Sequence, residues 1–336
     1  MMPRSTLLRA ALVGLVAVYC LGAGWLQAVE PSALQPEFSA KPGYALITGD
    51  LCLDRITQYD ADGKVTWVYG KVKPIDVWAM PDGTVLVAYL PSPQTANQGG
   101  VRLIAADQRT IFDFPFDDEI MSVQPLANGN FLIAECHFGR VTELDRTGKR
   151  IKSFQIMSKP SGHQTMRQVR LTAKGTILVG ECYSHKLREY DLDGKLLKEH
   201  DLRFCYCPQP QPDGRILVAC WNAPEAQVVE LDADGKVVWR LPPDELPKEM
   251  AVSHIAESIR LPNGNTLVSA SCKAAGGDGP RAMLFEITPD KKIVWQLTDR
   301  DSSTWMTAVK QIPSWNPALP AAKNAPGSAK PVPGKP

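Results

Sequence analysis

Two short stretches of the sequence place acidic, thiol and imidazole groups side by side. They are Glu135-Cys136-His137 and, one repeat later, Glu181-Cys182 with His185. Thiolates and imidazoles are the usual ligands of zinc and copper, so Cys136, His137, Cys182 and His185 form a candidate metal site. The sequence contains no Cys-x-x-Cys pair. Because small buried cysteines are common at strand ends, packing of the two thiols is the alternative interpretation.

Two further histidines, His163 and His254, are candidates for acid–base or nucleophilic chemistry. Each precedes a segment that we expect to form an inner strand of the fold. An imidazole at such a place could act as a general base or as a nucleophile. The sequence shows no recognisable set of nucleophile, base and orienting group, so a non-catalytic interpretation competes with this one.

The N-terminus has the features of an export segment. Residues 1–28 combine Arg4 and Arg9 with an apolar run from Ala10 to Leu26. This pattern is typical of a cleaved signal peptide. The run is also nearly long enough to serve as an uncleaved membrane anchor. Both interpretations predict a periplasmic or extracellular protein, tethered in the second case by its N-terminal segment.

Export would permit disulfide bonds. Cys207 and Cys220 flank the hairpin turn at Asp213-Gly214, and counting outward from that turn places them opposite each other. Directly opposed residues of a non-hydrogen-bonded pair come close enough to be bridged. The sequence therefore offers Cys207 and Cys220 as a candidate disulfide.

The elements that must position these residues follow from an internal repeat. One half of the unit reads SIRLPNGNTLVSASC from Ser258, and the other half reads VVELDADGKVVWRL from Val228. Alternating apolar and polar residues around Asn-Gly or Asp-Gly predict β-hairpins. Two hairpins make a four-stranded antiparallel sheet of about 40 residues, and repetition of that sheet is typical of a β-propeller.

The number of repeats predicts an all-β, six-bladed β-propeller over residues 43–312. There are six copies of the second half but five of the first. We expect the segment from Trp305 to Ile312 to complete the blade that begins with Tyr44 to Asp50, so that strands from both termini close the ring. Residues 29–42 are a predicted linker. Residues 313–336, rich in Pro, Ala and Lys, are a predicted disordered tail.

The formal net charge of +1 gives no reason to expect a nucleic-acid partner. The sequence also predicts no membrane span beyond the N-terminal segment, and it favours a monomer. A small anionic molecule or a protein is the expected partner, and no cofactor can be named.

Strand order predicts two different faces. Calling the strands a to d from the axis outward, the tight a–b and c–d hairpins lie on one face, the turn face. The longer b–c and d–a connections lie on the other, the loop-rich face. Because variable loops on a rigid scaffold are where function usually lies, we expect a binding site on the loop-rich face.

The innermost strands are expected to line a central channel. Their comparable polar positions hold Trp78, Gln124, Arg170, Gln209, Arg260 and Lys310, with Arg167 nearby. Three of the six are cationic and none is acidic, which predicts binding of a carboxylate, sulfate or phosphate. The alternative is a solvated channel whose cations pair with Glu135, Glu181 or Glu257.

The segments LPNGNTLV (Leu261 to Val268) and VVELDADGKVVW (Val228 to Trp239) resemble propellers of the arylsulfotransferase-like and PQQ-repeat-like kind. The resemblance covers most of residues 43–312. Bacterial arylsulfotransferases are similar in having six blades, export, and channel His and Arg residues that transfer a sulfuryl group through a His. The resemblance implies such roles for His163, His254, Arg170 and Arg260, although no catalytic motif matches residue by residue.

Two function classes follow. The first, which we favour, is a non-catalytic exported propeller that binds a ligand or a protein partner on its loop-rich face. The second is a His-dependent transferase or hydrolase that acts on an anionic substrate in the central channel.

Overall fold

The computed structural model describes residues 37–116, 119–156, 166–222, 226–250, 252–272, 281–299 and 306–314. Within these ranges the chain forms 25 β-strands and three short 3-10 turns, Pro93–Thr95, Pro243–Glu245 and Lys248–Met250. The strands assemble into six antiparallel sheets. In this part of the chain no helix is long and apolar enough to cross a membrane.

Each sheet is one blade of a ring, with its strands ordered from the axis outward. Blade 1 consists of β25 (Met306–Gln311), β2 (Leu46–Asp50), β3 (Arg55–Tyr59) and β4 (Val65–Tyr69). Blade 2 consists of β5 (Lys73–Ala79), β6 (Val85–Leu90), β7 (Gly99–Ile104) and β8 (Thr110–Phe116). Blade 3 consists of β9 (Ile120–Pro125), β10 (Phe131–Glu135), β11 (Arg140–Leu144) and β12 (Arg150–Gln155).

The second half of the ring follows the same order. Blade 4 consists of β13 (Met166–Leu171), β14 (Ile177–Glu181), β15 (Lys186–Tyr190) and β16 (Leu196–Asp201). Blade 5 consists of β17 (Cys205–Pro210), β18 (Ile216–Cys220), β19 (Gln227–Leu231) and β20 (Val237–Leu241). Blade 6 consists of β21 (Val252–Arg260), β22 (Thr266–Cys272), β23 (Arg281–Ile287), β24 (Ile293–Asp299) and, outermost, β1 (Glu37–Phe38).

The predicted six-bladed β-propeller is confirmed, and so is the way in which the ring closes. Strand β25 from the C-terminal side pairs with β2 from the N-terminal side, with Lys310 opposite Ile47. Strand β1, which lies within the residues predicted as a linker, adds a fifth strand to blade 6. There, Phe38 lies against the rings of Tyr59 and Trp295, both at 5.4 Å between centroids.

The Asp-Gly sequences form the tight turns of the turn face. In the turn between β3 and β4, the Asp60 carboxylate accepts hydrogen bonds from the backbone N–H groups of Asp62 and Lys64, both at 2.9 Å. Gly63 adopts a φ of 82°, which side chains with a Cβ rarely allow. A short local sequence thus fixes each hairpin, while apolar clusters between neighbouring blades bury the sheet faces.

Candidate functional site

The inner strands carry a layer of polar side chains that was not predicted. It occupies one repeat position, seven residues before the hairpin glycine, in five of the blades: Asp76, Ser122, Gln168, Cys207 and Glu257. All five side chains are fully buried. Buried polar groups are costly unless they are hydrogen-bonded, so a layer of this kind must be internally satisfied.

Arg170 lies at the centre of this layer. Its Nη1 donates to Asp76 Oδ2 at 2.9 Å and to Ser122 Oγ at 2.7 Å. Its Nη2 donates to Gln168 Oε1 at 2.6 Å and approaches Glu257 Oε1 at 3.4 Å. The guanidinium therefore connects blades 2, 3, 4 and 6 around the axis.

Lys310 provides the second positive charge. Its Nζ donates to Glu257 Oε1 at 2.6 Å and to Asp76 Oδ1 at 3.3 Å. The ring of Trp78 lies beneath both cations, with its centroid 4.7 Å from Lys310 Nζ and 5.3 Å from Arg170 Cζ. Two cations thus face two carboxylates in a buried, charge-balanced group. We call Asp76, Ser122, Gln168, Arg170, Cys207, Glu257 and Lys310 the axial network.

The axial network changes how the predicted channel is understood. Of the carboxylates considered as partners from the sequence, Glu257 belongs to it. The other two lie at the ends of their own b strands, where Arg140 and Arg150 pair with Glu135, and Arg188 pairs with Glu181. Binding of an anion by Arg170 and Lys310 stays a prediction, and these cations already have carboxylate partners.

The prediction that Arg260 lines the channel is wrong. Arg260 lies four residues before Gly264, whereas Arg170 lies five residues before its own turn glycine. Side chains alternate along a strand, so this offset turns Arg260 to the other side. Its Nη2 donates to Glu230 at 2.9 Å, and its guanidinium lies 5.2 Å from the centroid of Trp239 on the outer strand of blade 5.

The two predicted glutamines connect inner strands. Gln124 Oε1 accepts a hydrogen bond from the backbone N–H of Leu171 at 2.7 Å, which joins blades 3 and 4. Gln209 Nε2 donates to Glu257 Oε1 at 2.8 Å. Both side chains extend the polar contacts around the axial network.

Aromatic and basic side chains of blades 4, 5 and 6 lie together at the loop-rich end of the inner strands. The rings of Tyr206 and Trp221 are stacked, with centroids 4.8 Å apart and planes at 17°. The His254 ring lies 4.8 Å from Trp221, and the Arg167 guanidinium lies 5.1 Å from the Tyr206 centroid. Arg167 and Tyr206 are buried, while Trp221 and His254 are half-buried. We call these four residues the mouth.

Exposed aromatic side chains continue this surface outward. Tyr183 is 50% exposed and meets the ring of Phe204 edge-on at 6.0 Å. Phe204 also contacts His185 at 4.7 Å. Phe138, on the b–c connection of blade 3, is 46% exposed. The loop-rich face therefore carries exposed rings on blades 3 and 4 and the half-buried ring of Phe204 between blades 4 and 5.

A β-bulge aims Tyr206 into the mouth. Cys205 pairs with Cys220 and Cys207 pairs with Ala219, so Tyr206 has no partner across the hairpin. Bulges are common beside functional sites, because the extra residue redirects a side chain. Gly180 on the neighbouring blade makes room for this backbone, since a Cβ there would lie 2.6 Å from the Tyr206 carbonyl oxygen.

We expect Gly180→Ala to lower the free energy of unfolding by about 1–3 kcal/mol, the usual cost of overpacking a filled interior. Ala134 occupies the corresponding position of blade 3, so this strand position accepts an alanine. The expected loss of stability at Gly180 therefore comes from the close approach of the Tyr206 backbone. Urea unfolding followed by tryptophan fluorescence measures it. A variant as stable as the parent would show that blades 4 and 5 separate easily at this point.

His254 is held in place beside Trp221. Its Nδ1 lies 2.9 Å from Ser253 Oγ, and its backbone bridges to Asn222 across the interface between blades 5 and 6. His163 lies outside the described residues. A catalytic role for His163 or His254 stays a prediction.

The four candidate metal ligands are not brought together. Cys136 Sγ donates to the Met166 carbonyl at 3.1 Å, and His185 Nδ1 accepts from the Phe204 N–H at 3.2 Å. His137 is exposed, whereas burial raises the pKa of Cys182 to about 11 against the opposing effect of Arg167. Over the described ranges, no group of three His, Cys, Asp or Glu residues is arranged to hold a metal ion.

The register that would place Cys207 opposite Cys220 is also wrong. The hairpin turn already sets Pro208 opposite Val218 and Cys207 opposite Ala219, one residue away from the expected register. The bulge at Tyr206 then places Cys205 opposite Cys220. Cys207 Sγ instead donates to Gln168 Oε1 at 2.7 Å, within the axial network. Cys205, Cys207 and Cys220 are free thiols in the structure.

A second concave feature lies on the turn face, between blades 4 and 5. It is a groove of ≈ 200 Å³ whose lining includes Lys174, Glu189, Lys198, His200 and Arg215. Its charges are of both signs, and it contains neither the mouth nor the axial network. This groove is the alternative to the mouth as a binding site.

Comparison with solved structures gives similarity across the whole propeller. A protein of unknown function from Bacteroides caccae matches with a TM-score of 0.68 and 23% identity, over 80% of this chain and 98% of that one. A streptogramin B lyase matches with a TM-score of 0.52 and 12% identity, over 78% and 86% of the two chains.

A structure from a nidogen/laminin complex matches with a TM-score of 0.55 and 9% identity, over 79% of this chain and 97% of that one. No protein-family model matches the sequence, and no curated protein matches it. At these identities the similarities concern the fold alone. The chain is an all-β, six-bladed β-propeller with a buried polar axis and an aromatic mouth on its loop-rich face.

Proposed function

We propose that this protein is an exported β-propeller that binds a small molecule carrying an aromatic ring and an anionic group, and that the mouth is its binding site. Export is inferred from the N-terminal sequence. The observation that carries the binding proposal is the stack of Tyr206, Trp221 and His254, of which Trp221 and His254 are half-buried at the loop-rich face.

The chemistry of the mouth suits such a ligand. An aromatic ring in contact with the half-buried rings of Trp221 and His254 would add to an existing aromatic cluster, and aromatic pairs contribute about 0.5–1.5 kcal/mol beyond the area that they bury. Arg167, whose guanidinium lies on the other side of Tyr206, brings positive charge to the floor of the mouth, which favours an anion.

The scaffold holds these groups in fixed positions. Arg167 and Tyr206 lie on inner strands of blades 4 and 5, and His254 lies on that of blade 6. The axial network ties the same inner strands together one layer below, through Gln168, Cys207 and Glu257. A preformed site loses little entropy on binding, so modest contacts suffice.

A His-dependent transferase or hydrolase, of the arylsulfotransferase-like kind, is the second candidate. One observation favours it: His254 is hydrogen-bonded through Nδ1 to Ser253, beside the ring surface on which a substrate would stack. An imidazole oriented in this way is a candidate general base. Streptogramin B lyase shows that an enzyme can have this fold.

One probe separates the proposals. 4-Nitrophenyl sulfate carries a ring and an anionic group, and its affinity can be measured by titration calorimetry. We expect Trp221→Ala to weaken its binding about 3- to 10-fold, as loss of one aromatic contact requires. Trp239→Ala, on the outer strand of the same blade, is the matched control and should leave the affinity unchanged. Equal affinities for the parent and Trp221→Ala would contradict the proposed site.

The same probe reports turnover through release of nitrophenolate. The binding proposal predicts no release above buffer. The enzyme alternative predicts release that His254→Ala abolishes, with a pH profile set by an imidazole.

A further inference from the structure

We propose that Cys205 and Cys220 form a cross-strand disulfide when the protein folds in an oxidising compartment, and that this bond fixes the mouth from below. The inference concerns the covalent state of blade 5, and it holds whether or not the mouth binds the ligand proposed above.

The pairing geometry is that of a bridgeable site. Cys205 and Cys220 are directly opposed in the antiparallel pair β17–β18. The N–H of Trp221 donates to Phe204 at 2.9 Å, and the N–H of Cys205 donates to Leu202 at 3.3 Å. The two cysteines therefore form a non-hydrogen-bonded pair, whose Cα atoms lie about 4.5 Å apart, at the near end of the range that disulfides span.

The pairing of the strands favours the bond between Cys205 and Cys220 over its competitor, Cys182, whose thiol interacts with both of them from the neighbouring blade. Cys205 and Cys220 share one apolar cluster and are fully buried. Cys207 faces the axial network, and Cys182 belongs to the neighbouring blade, where Arg167 interacts with its thiol. Burial, with Cys220 as the next cause, raises the pKa of Cys205 well above its usual value, which agrees with two thiols in close proximity.

The position of the pair connects it to the mouth. Cys205 directly precedes Tyr206, and Cys220 directly precedes Trp221. A covalent bond between the two strands would limit how far these stacked rings can separate. The link acts where the hairpin is otherwise weakest, because the bulge at Tyr206 interrupts the ladder of hydrogen bonds there.

The redox chemistry balances as a thiol–disulfide exchange. The two thiols lose two protons and two electrons and form one S–S bond. The oxidant is a disulfide, either of a thiol–disulfide oxidoreductase or of oxidised glutathione. Its S–S bond breaks, and it leaves as two thiols. Because the folded protein buries both sulfurs, exchange takes place before blades 4 and 5 close over them.

The test is to refold reduced, denatured protein with reduced and oxidised glutathione, block the remaining thiols and map the tryptic peptides without reduction. Cys205 and Cys207 lie in one peptide, Phe204 to Arg215, so two matched variants separate them. We expect the cross-link to Cys220 in the parent and in Cys207→Ser, and its loss in Cys205→Ser. Fragment ions that separate Cys205 from Cys207 in the parent give the same assignment without a variant.

Two results would overturn the assignment: both cysteines recovered as blocked thiols, or a cross-link from either of them to another cysteine. The effect on the mouth is tested separately by hydrogen exchange. We expect the amide of Trp221 to exchange at least about tenfold more slowly in the oxidised protein than in the reduced one, as closure of a short loop implies. Equal rates would show that the bond does not fix the mouth.

Discussion

Arg170→Met is expected to lower the free energy of unfolding by about 3–5 kcal/mol, the range found when one partner of a buried ion pair is removed. The Arg170 side chain is 1% exposed and holds Asp76 and Gln168 by hydrogen bonds. Without the guanidinium, Asp76 keeps a buried charge with only Lys310 to offset it. Urea unfolding at neutral pH measures the loss.

Arg215→Met is the matched control. Arg215 also pairs with two carboxylates, Asp213 and Glu230, but its side chain is 47% exposed. Pairs of that kind contribute about 0–1 kcal/mol. The double variant Arg170→Met with Asp76→Leu should recover part of the stability, because it removes the orphaned carboxylate. If Arg170→Met proved no more costly than Arg215→Met, the axial network would not be a buried, charge-balanced group.

Alkaline pH is expected to destabilise the reduced protein strongly, by about 5 kcal/mol between pH 8 and pH 10. The cause is a set of four buried thiols in blades 4 and 5, Cys182, Cys205, Cys207 and Cys220. Burial raises the pKa of each of them above the usual value of 9.0. The pKa of Cys182 reaches about 11, that of Cys220 rises further, and those of Cys205 and Cys207 rise well above their usual value.

The direction follows from proton binding. Below pH 9 the thiols are protonated in both states, so the stability that they contribute is fully present. As the pH rises above 9, the unfolded chain releases protons that the folded protein retains, and each thiol then costs about 1.4 kcal/mol per pH unit. For Cys182 the loss ends as the pH passes about 11, the folded pKa. For the other three it continues to higher pH.

The measurement is urea unfolding from pH 7 to 10.5 with a phosphine reductant, which keeps Cys205 and Cys220 as thiols. Cys220→Ala provides the control, because it should reduce the slope above pH 9 by the contribution of one thiol. A stability that stays constant from pH 8 to pH 10 would mean that these thiols already titrate at their ordinary pKa in the folded protein, and hence that they are not buried as the structure shows.

The blades could be predicted from the sequence because hairpins are local. The Asp-Gly and Asn-Gly turns at Gly63 and Gly264 require positive φ and fix each two-strand unit independently of the rest. Closure by β25 could also be predicted, since one inner strand was missing from an otherwise complete count. The strand β1 could not, because two residues carry no periodicity.

Which residues lie at the axis and in the mouth depends on the strand register and on β-bulges, and an alignment of the repeats shows neither. Aligning the repeats places Arg260 in the channel through an offset of one residue, which reverses the direction of a side chain. In blade 5 the hairpin turn displaces the register by one residue and the bulge at Tyr206 by another, so that Cys205 and not Cys207 lies opposite Cys220. A β-bulge cannot be recognised from the sequence when the alternation of apolar and polar residues continues through both strands.

The axial network could have been recognised in part, because Asp76 and Glu257 occupy one repeat position seven residues before a turn glycine. The contacts between them could not, since Asp76, Arg170 and Glu257 are far apart in the chain and meet only once the ring has closed. The same holds for the mouth, whose residues come from three blades.

The claim that the mouth binds the ligand is tested most directly by a crystal structure of the protein with 4-nitrophenyl sulfate. We predict that the nitrophenyl ring lies in van der Waals contact with Trp221 and His254 on the loop-rich face. A ring bound instead in the turn-face groove, beside Lys174, Lys198 and Arg215, with the mouth unoccupied, would contradict the proposal.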